Sequence, residues 1–224
     1  MLDDFLQEPK IVAWKKSLTD NGCTINKIEP LNIYIRPKGE LLFALLKADI
    51  TGPDGYKIPP IVFLRGHACI IVPLLINKET GEQRFLMVLQ RRIATGALTL
   101  EFPAGMLDRE IKYPARIAVK ELNEETGLDI SEDSLFSLFE GPLYTSPGAS
   151  DEGIYYYGCK IELDNTEYRS FEGRIRGENS ENEYIRVTLK TKEEAKKQIT
   201  TLPARLGLSL FEEYYSQNNG KKCN

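Results

Sequence analysis

The chain has 224 residues, of which 42% are hydrophobic and 28% charged, an ordinary composition for a globular protein with room for one large domain. Its net charge of −4 gives no reason to expect a nucleic-acid partner. The longest apolar run, residues 68–76, is far too short to span a bilayer, and the acidic start lacks the features of a signal peptide. We therefore expect a cytoplasmic protein with no membrane partner.

The cysteine and histidine content argues against two kinds of site. Four cysteines occur without CxxC spacing or the density of a disulfide scaffold, so we interpret them as reduced thiols. The single histidine, His67, makes a histidine-based zinc site or a Ser/His triad a poor hypothesis. It stands beside an apolar run and is most simply a residue at a strand edge.

The first third of the chain is predicted to be rich in strands. Residues 8–18 form an amphipathic pattern with Trp14 on the apolar side, and Asp20-Asn21-Gly22 ends that helix. Segments typical of strands follow at 23–28, 31–36, 41–50 and 56–64. We predict a β-rich N-terminal region over residues 1–62, with its boundary near 59–65.

The remainder alternates strands and helices. A continuous apolar strand at 68–76 is typical of burial on both faces, and strands at 84–90, 98–102, 154–161 and 184–189 accompany it. Helices are predicted at 191–199 and 203–216. The polar stretch 164–182 is too long for an ordinary connection, which indicates function or mobility. We assign 63–217 to one α/β domain and 218–224 to a polar tail.

One helix between these strands ends in acidic residues. Pro114 suits its first turn and Gly127 the position just past its end. Glu121, Glu124 and Glu125 follow at i, i+3 and i+4, where like charges repel each other and meet the negative end of the helix dipole. A solvated acidic helix end is one interpretation. The other is a site for Mg²⁺, which prefers hard oxygen ligands.

The stretch 101–128 resembles the Nudix box, G-x5-E-x7-R-E-U-x-E-E-x-G-U. Gly105 matches the opening glycine, and residues 120–128 (KELNEETGL) match the closing half. Lys120 stands where the family has arginine, which keeps the charge but not the fork geometry. The spacing from Gly105 to Glu121 is one residue longer than the pattern, and no glutamate occupies the box's first Glu position. We place the insertion before Pro114, where a loop tolerates it.

Flanking motifs resemble the ADP-ribose/ADP-sugar pyrophosphatase branch, and plant-type ADP-sugar diphosphatases in particular. They lie at 65–68, 90–94, 101–105, 146–148 and 183–187. The resemblance implies a Nudix α/β/α sandwich with a mixed sheet, and Mg²⁺-dependent hydrolysis of an ADP-sugar, such as ADP-ribose or ADP-glucose, to AMP and a sugar phosphate. Two alternatives are a Nudix hydrolase for NADH or a dinucleotide polyphosphate, and a domain that binds nucleotide sugars without hydrolysing them.

Site roles follow from the resemblance, residue by residue. It implies Mg²⁺, with Mn²⁺ possible, held mainly by Glu121 and Glu125, with Glu124 and the carbonyl of Ala104 completing the site. It places the catalytic base on a later loop, where Glu183 is the first choice and Glu181 the second. Without the resemblance, these last two would belong to an ordinary acidic surface loop.

The resemblance also indicates substrate contacts and a dimer. Arg92 would hold the diphosphate, Arg65 is a second candidate for which a salt bridge is the alternative, and Glu152 would touch metal or substrate unless it lies in an exposed turn. Trp14, Phe63 and residues 155–157 could stack on a base, although core packing is the favoured interpretation. Branch members complete their sites through an N-terminal region exchanged between subunits, which implies a homodimer.

Overall fold

The computed structural model describes residues 5–36, 39–108, 112–177 and 184–220, apart from the side chains of 219 and 220. Both candidate bases, Glu181 and Glu183, lie outside these ranges. In chain order the strands are β1 Thr24–Ile35, β2 Leu41–Thr51, β3 Ile61–Leu64, β4 Ala68–Asn77, β5 Gln83–Arg91, β6 Leu98–Glu101, β7 Ala104–Met106, β8 Phe136–Ser137, β9 Leu143–Tyr144, β10 Gly153–Leu163, β11 Ile175–Arg176 and β12 Ile185–Lys190. The helices are α1 Pro9–Asp20, α2 Pro114–Thr126, α3 Asn165–Ser170, α4 Lys192–Gln198 and α5 Leu202–Gly220, with a 3-10 turn at Glu132–Ser134.

The chain divides into two compact units. The first comprises Met1–Ala68, Met106–Tyr113 and Pro142–Ile154, and the second comprises Cys69–Gly105, Pro114–Gly141 and Tyr155–Asn224. The first unit thus contains the N-terminal region together with two segments from later in the chain. The domain boundaries proposed from the sequence, 1–62 and 63–217, remain a prediction.

In the first unit, α1 precedes an antiparallel sheet in the order β1-β2-β3. Its core is formed by apolar side chains of the helix and the sheet: Phe5, Ile11, Leu41, Ala44, Leu46 and Leu64. Trp14 is partly buried against this cluster, as core packing predicts. The helix therefore contributes to the hydrophobic core of the unit through one face.

Two strand predictions in this unit need correction. The segments 23–28 and 31–36 form one strand, β1. Among the described strands β1 pairs with β2 alone, and its register shifts between Pro30 and Asn32. An edge strand with such an irregularity accommodates a residue that lacks an N–H. The strand predicted at 56–64 is shortened to β3, since Pro59 and Pro60 cannot donate to a ladder.

In the second unit, the sheet follows the order β11-β12-β5-β4-β10-β8, with β6 paired to β5 and β7 paired to β4. Every residue of β4 is buried, as its continuous apolar sequence predicted. Aromatic rings pack along α5: the centroid of Phe211 lies 5.4 Å from that of Phe85, and Tyr214 stacks on Phe136 at 4.3 Å. These contacts hold the C-terminal helix on the sheet.

The polar stretch 164–182 contains a helix and a short strand within its described residues, 164–177. Asp164 accepts the backbone N–H of Glu167 and so caps α3, and β11 follows and pairs antiparallel with β12. The sequence analysis overlooked this N-cap. Thr191 and Glu194 form a capping box at the start of α4, and α5 continues to Gly220, past the predicted end at 216. Among the described helices, none has the length and apolar character needed to cross a membrane.

Candidate metal and diphosphate site

The acidic helix predicted from the sequence is α2. Ile117, Ala118 and Leu122 are buried along one side of it. Gly127 follows the helix with a φ of +77°, a conformation that a side chain would strain. Pro114 and Gly127 thus delimit the helix as predicted. Because its apolar side is buried, the direction of each glutamate follows from its position around the helix.

Gly105 lies directly against Glu121. A Cβ added to Gly105 would stand 2.0 Å from Cγ and 2.2 Å from Cδ of Glu121, a separation that no real Cβ contact shows. The space that a side chain would need at Gly105 is therefore occupied by the glutamate. The opening glycine of the box has a physical reason here: it admits Glu121 against β7, which begins with Ala104 and Gly105.

Glu125 reaches the start of β7 from one helical turn further along α2. Its carboxylate accepts the backbone N–H of Ala104 at 3.0 Å, and the residue is only 7% exposed. A buried carboxylate is costly unless it is hydrogen-bonded or paired with a cation. Glu121 and Glu125, four residues apart, are thus both directed at Ala104 and Gly105, the start of β7.

Glu124 is placed differently. It is exposed, and one of its oxygens lies 2.8 Å from Nζ of Lys120, four residues earlier. The lysine that replaces the family's arginine therefore pairs with the third glutamate on the solvent side of α2. The role of Glu124 as an additional metal ligand stays a prediction.

The residues at the start of β7 fit a divalent cation. Among the described residues, no group of three or more His, Cys, Asp or Glu side chains could hold a metal ion. Mg²⁺, however, is usually bound by one or two carboxylates together with water and substrate phosphates. Glu121 and the buried Glu125, both directed at the start of β7, supply such a pair of hard oxygen donors.

The negative charges of the two glutamates beside β7 also act on Cys69. Its thiol is buried and donates to the carbonyl of Gly105, with the sulfur and oxygen 3.6 Å apart. Burial, with a smaller contribution from the charges of Glu121 and Glu125, raises the pKa of Cys69 to about 12. Cys23 and Cys159 are also free thiols, and Cys223 lies outside the described residues.

Arg92 is oriented by a fork with Glu101. Its Nε and Nη2 each donate to a different carboxylate oxygen at 2.9 Å, and Thr99 donates a further hydrogen bond to Glu101. Burial opposes ionisation of Glu101, but the bonds from Arg92 and Thr99 outweigh it, so its pKa lies below the ordinary value. Arg92 is half-exposed, and its contact with a diphosphate stays a prediction.

This lowered pKa predicts a pH-dependent contribution to stability. A carboxyl group whose pKa is lower in the folded chain stabilises it fully above the ordinary value of 4.5 and loses that effect as the pH falls through the lowered value. The melting temperature of wild type should therefore exceed that of Glu101→Gln at pH 7, and the difference should shrink on acidification. Glu29→Gln, which removes an exposed pair with Lys27, is the control and should change little. A difference that grows on acidification would contradict the assignment.

Arg65 and Glu152 belong to the first unit and pair with each other. Nε of Arg65 lies 3.0 Å from Oε1 of Glu152 without the angle of a hydrogen bond, and Thr145 donates to the other carboxylate oxygen at 2.8 Å. The guanidinium also lies over the ring of Phe43. The structure thus shows the salt bridge for Arg65, while substrate contacts of both residues stay predictions.

Two arginines that the sequence analysis assigned no role lie at the end of α2. Nη1 of Arg174 donates to the carbonyl of Thr126 at 3.4 Å, and its guanidinium lies 4.1 Å from the centre of the Phe171 ring. A Cβ on Gly127 would stand 2.4 Å from Nη2 of Arg176. Cations at a helix C-terminus offset the negative end of its dipole. Their separation of about 50 residues from α2 left no local pattern to detect.

No protein-family model matches the chain. It is 29% identical over 205 residues to Nudix hydrolase 14, chloroplastic, of Arabidopsis thaliana, covering 87% of this chain and 65% of that protein. It is 33% identical over 116 residues to ADP-ribose pyrophosphatase of Mycobacterium tuberculosis, covering 52% of each. The chain thus spans less than two thirds of either relative.

A solved structure described as an ADP compounds hydrolase has a similar fold. The TM-score is 0.58 at 17% identity, and the match covers 88% of this chain and 95% of the other. Together with the sequence relatives, this confirms the predicted α/β fold and the predicted resemblance to Nudix hydrolases of the ADP-ribose/ADP-sugar branch.

Proposed function

We propose that this chain, which resembles the Nudix hydrolases in fold and in the closing half of their box, splits the diphosphate of an ADP-sugar into AMP and a sugar phosphate with the help of Mg²⁺ or Mn²⁺. The observation that carries the proposal is the contact of Glu121 with Gly105, beside the hydrogen bond from Ala104 to Glu125. The names of its relatives, a Nudix hydrolase and an ADP-ribose pyrophosphatase, support this class of substrate.

Each group would have a defined task. Glu121, Glu125 and the carbonyl of Ala104 would hold the cation, with Glu124 as a further ligand. When bound, the cation would neutralise diphosphate charge and lower the pKa of water. Arg92, held in orientation by Glu101, would bind diphosphate oxygens through its planar guanidinium.

Hydrolysis also needs a proton acceptor. Water oxygen forms a new bond to one phosphorus, the bridging P–O bond breaks, and a carboxylate takes the proton of the water. Glu183 is our first choice for this carboxylate and Glu181 the second. Strand β12 begins at Ile185, which pairs with Gln90 of β5, so the chain leaves this segment at a fixed position in the sheet. Turnover of Glu183→Gln and Glu181→Gln, measured apart from Mn²⁺ affinity, would distinguish them.

The test is a substrate panel. Purified protein with Mg²⁺ should release AMP from ADP-ribose or ADP-glucose, lose this activity in a chelator and recover it when Mg²⁺ is restored. UDP-glucose, GDP-mannose, NADH and diadenosine polyphosphates complete the panel. Faster hydrolysis of one of these would reassign the substrate. Binding without turnover of any compound would contradict a hydrolase and favour a non-catalytic nucleotide-sugar domain.

A homodimer is part of the proposal. The three-stranded sheet of the first unit exposes large apolar side chains, and exposed apolar surface of this kind supports an interaction surface: Leu31, Tyr34, Ile35, Ile61 and Phe63. Light scattering should give the mass of two chains, and Ile35→Asp should shift it toward one. Val12→Asp, at an exposed apolar position of α1, is the control. A wild-type monomer at working concentration would contradict the dimer. Cytoplasmic localisation remains a prediction from the sequence.

A further inference from the structure

The side chain of Arg174 joins the end of α3 to the end of α2. Its Nε donates to the carbonyl of Ser170 at 2.7 Å, and its Nη2 donates to the hydroxyl of the same residue. The guanidinium lies 4.1 Å from the ring centre of Phe171, which is 1% exposed. From this position Nη1 donates to the carbonyl of Thr126 at 3.4 Å. One edge and one face of the planar group are thus held by α3 and the residue after it, and the other nitrogen is presented to α2.

The backbone of Arg174 is attached to the sheet. Its carbonyl accepts the N–H of Val187 at 2.8 Å, and the carbonyl of Val187 accepts the N–H of Gly173 at 3.0 Å. Val187 is fully buried in β12, and β12 pairs with β5 from Ile185 to Lys190. The donor that reaches α2 is therefore anchored in the interior of the second unit and not on the helix itself.

The end of α2 has room for this guanidinium. The last carbonyls of a helix have no partner within the helix, and that of Thr126 takes its hydrogen bond from Arg174. Thr126 is fully buried, and its hydroxyl donates to the carbonyl of Leu122. A Cβ on Gly127 would stand 3.0 Å from Nη1 of Arg174. The absence of a side chain at position 127 thus allows the close approach.

Glu125 lies in this last turn, immediately before Thr126. Helix ends fray more easily than helix interiors. Here the negative end of the dipole and the carboxylate of Glu121 both oppose a second negative charge. Opening of the last turn would carry Glu125 away from the N–H of Ala104, whereas Glu121 lies one turn further into the helix. A hydrogen bond from the sheet-anchored Arg174 to Thr126 opposes that opening.

We infer that Arg174 is a positioning residue for Glu125. By binding the carbonyl of Thr126 it keeps the last turn of α2 closed, and so keeps the Glu125 carboxylate on Ala104. The inference rests on the proposed function only in that Glu125 holds the cation. The charge of Arg174 acts in the other direction, because a nearby cation repels Mn²⁺. Loss of positioning therefore weakens Mn²⁺ binding, and loss of the charge alone strengthens it.

Hydrogen exchange in a chelator tests the positioning without any metal. In Arg174→Met the amide of Ala104 should exchange faster than in wild type, because its bond to Glu125 opens more often. The amide of Ile71 donates to the neighbouring carbonyl of Pro103 and should exchange as in wild type.

Arg169→Met is the matched control variant. Arg169 is exposed on α3, and its Nε donates to the side chain of Asn165, away from α2. The substitution removes the same kind of side chain five residues earlier in the chain. It should leave the exchange of the Ala104 amide and the Mn²⁺ affinity at their wild-type values.

Mn²⁺ affinity, measured by electron paramagnetic resonance, gives the second measurement. Arg174→Met should weaken it by about tenfold, the lower end of the range for residues directly behind metal ligands. In a chain that already carries Glu125→Gln, Arg174→Met should change the affinity little, since both changes act on the same ligand. Beside Glu121→Gln, its effect should remain.

Arg174→Lys separates the charge from the geometry. Lysine keeps the positive charge but loses the planar fork that binds Ser170 and Thr126 together. If the charge alone mattered, this variant would behave like wild type. We expect faster exchange at Ala104 and weaker Mn²⁺ binding, and the result decides the inference even if Arg174→Met does not fold.

The outcomes separate this inference from the proposed function. Wild-type exchange at Ala104 in the folded variants of Arg174, or tighter Mn²⁺ binding by Arg174→Met, would overturn the positioning role. Equally faster exchange at Ala104 and Ile71 would also overturn it, because the effect would then be general destabilisation. If wild type binds no Mn²⁺ but Ala104 alone exchanges faster in the variants, the proposed metal site fails and the positioning of Glu125 by Arg174 stands.

Discussion

Glu125→Gln should remove nearly all hydrolysis of an ADP-sugar while leaving the fold intact. Glutamine has the size of glutamate and keeps a carbonyl oxygen that can accept the N–H of Ala104, but it lacks the charge. We expect kcat to fall by about 100-fold or more, since even partners behind metal ligands are worth about 10–100-fold. Mn²⁺ affinity, measured by electron paramagnetic resonance without substrate, should fall in parallel.

Glu124→Gln is the matched control one residue away. Glu124 is exposed and paired with Lys120, so its replacement should cost much less activity and Mn²⁺ affinity than that of Glu125. The melting temperature of Glu125→Gln in a chelator should not drop, because removing one of two neighbouring carboxylates relieves their repulsion. Equal losses in both variants would show that Glu124 is a ligand of the same rank. Unchanged Mn²⁺ affinity in Glu125→Gln would contradict the metal site.

The part of the site that the sequence predicted is the part encoded within one helix, α2, and the short strand β7 before it. Helical spacing brings Glu121 and Glu125 to one side of α2, and the proline and glycine at its ends delimit the helix. A period of 3.6 residues fixes these directions without knowledge of the rest of the chain. The same reasoning predicted β4, whose apolar run indicates burial on both faces.

Other features depend on contacts that no local pattern encodes. Glu124 shares the helix spacing with the other two glutamates, yet Lys120 holds it on the solvent side. Arg174 reaches the carbonyl of Thr126 across 48 positions in the chain, through the position of β11. Spacing predicts which side chains can meet; it does not decide between two partners that are both within reach.

The strand errors have a similar cause. The sequence analysis ended one strand at 28 and began another at 31, on either side of Pro30, a residue that cannot donate to a ladder. The break is absent because β1 lies at the edge of the sheet: within the described ranges it pairs with β2 alone, and no strand on its other side needs an N–H at Pro30. Whether a strand lies at an edge is a property of the assembled sheet. Local sequence could not reveal it.

Gly105→Ala should reduce hydrolysis by displacing a metal ligand, although by less than the removal of Glu125. The added methyl group would overlap Glu121, whose Cγ would be 2.0 Å away, so the glutamate must move away from β7. Glu121 is partly exposed and can swing toward solvent, so we expect a modest loss of stability, below about 3 kcal/mol for such overpacking. Turnover and Mn²⁺ affinity should each fall by about 10- to 100-fold, the range for residues that position ligands.

Gly148→Ala is the matched control, because a Cβ there meets no heavy atom within 4 Å and its φ is not in the left-handed region. A double-mutant cycle then tests the mechanism. If Gly105 acts only by admitting Glu121, Gly105→Ala should cost little further activity or Mn²⁺ affinity in a chain that already carries Glu121→Ala, since the two changes remove the same interaction. Additive losses would mean that Gly105 supports the site through the backbone of β7. Wild-type Mn²⁺ affinity in Gly105→Ala alone would show that the position of Glu121 is not what holds the ion.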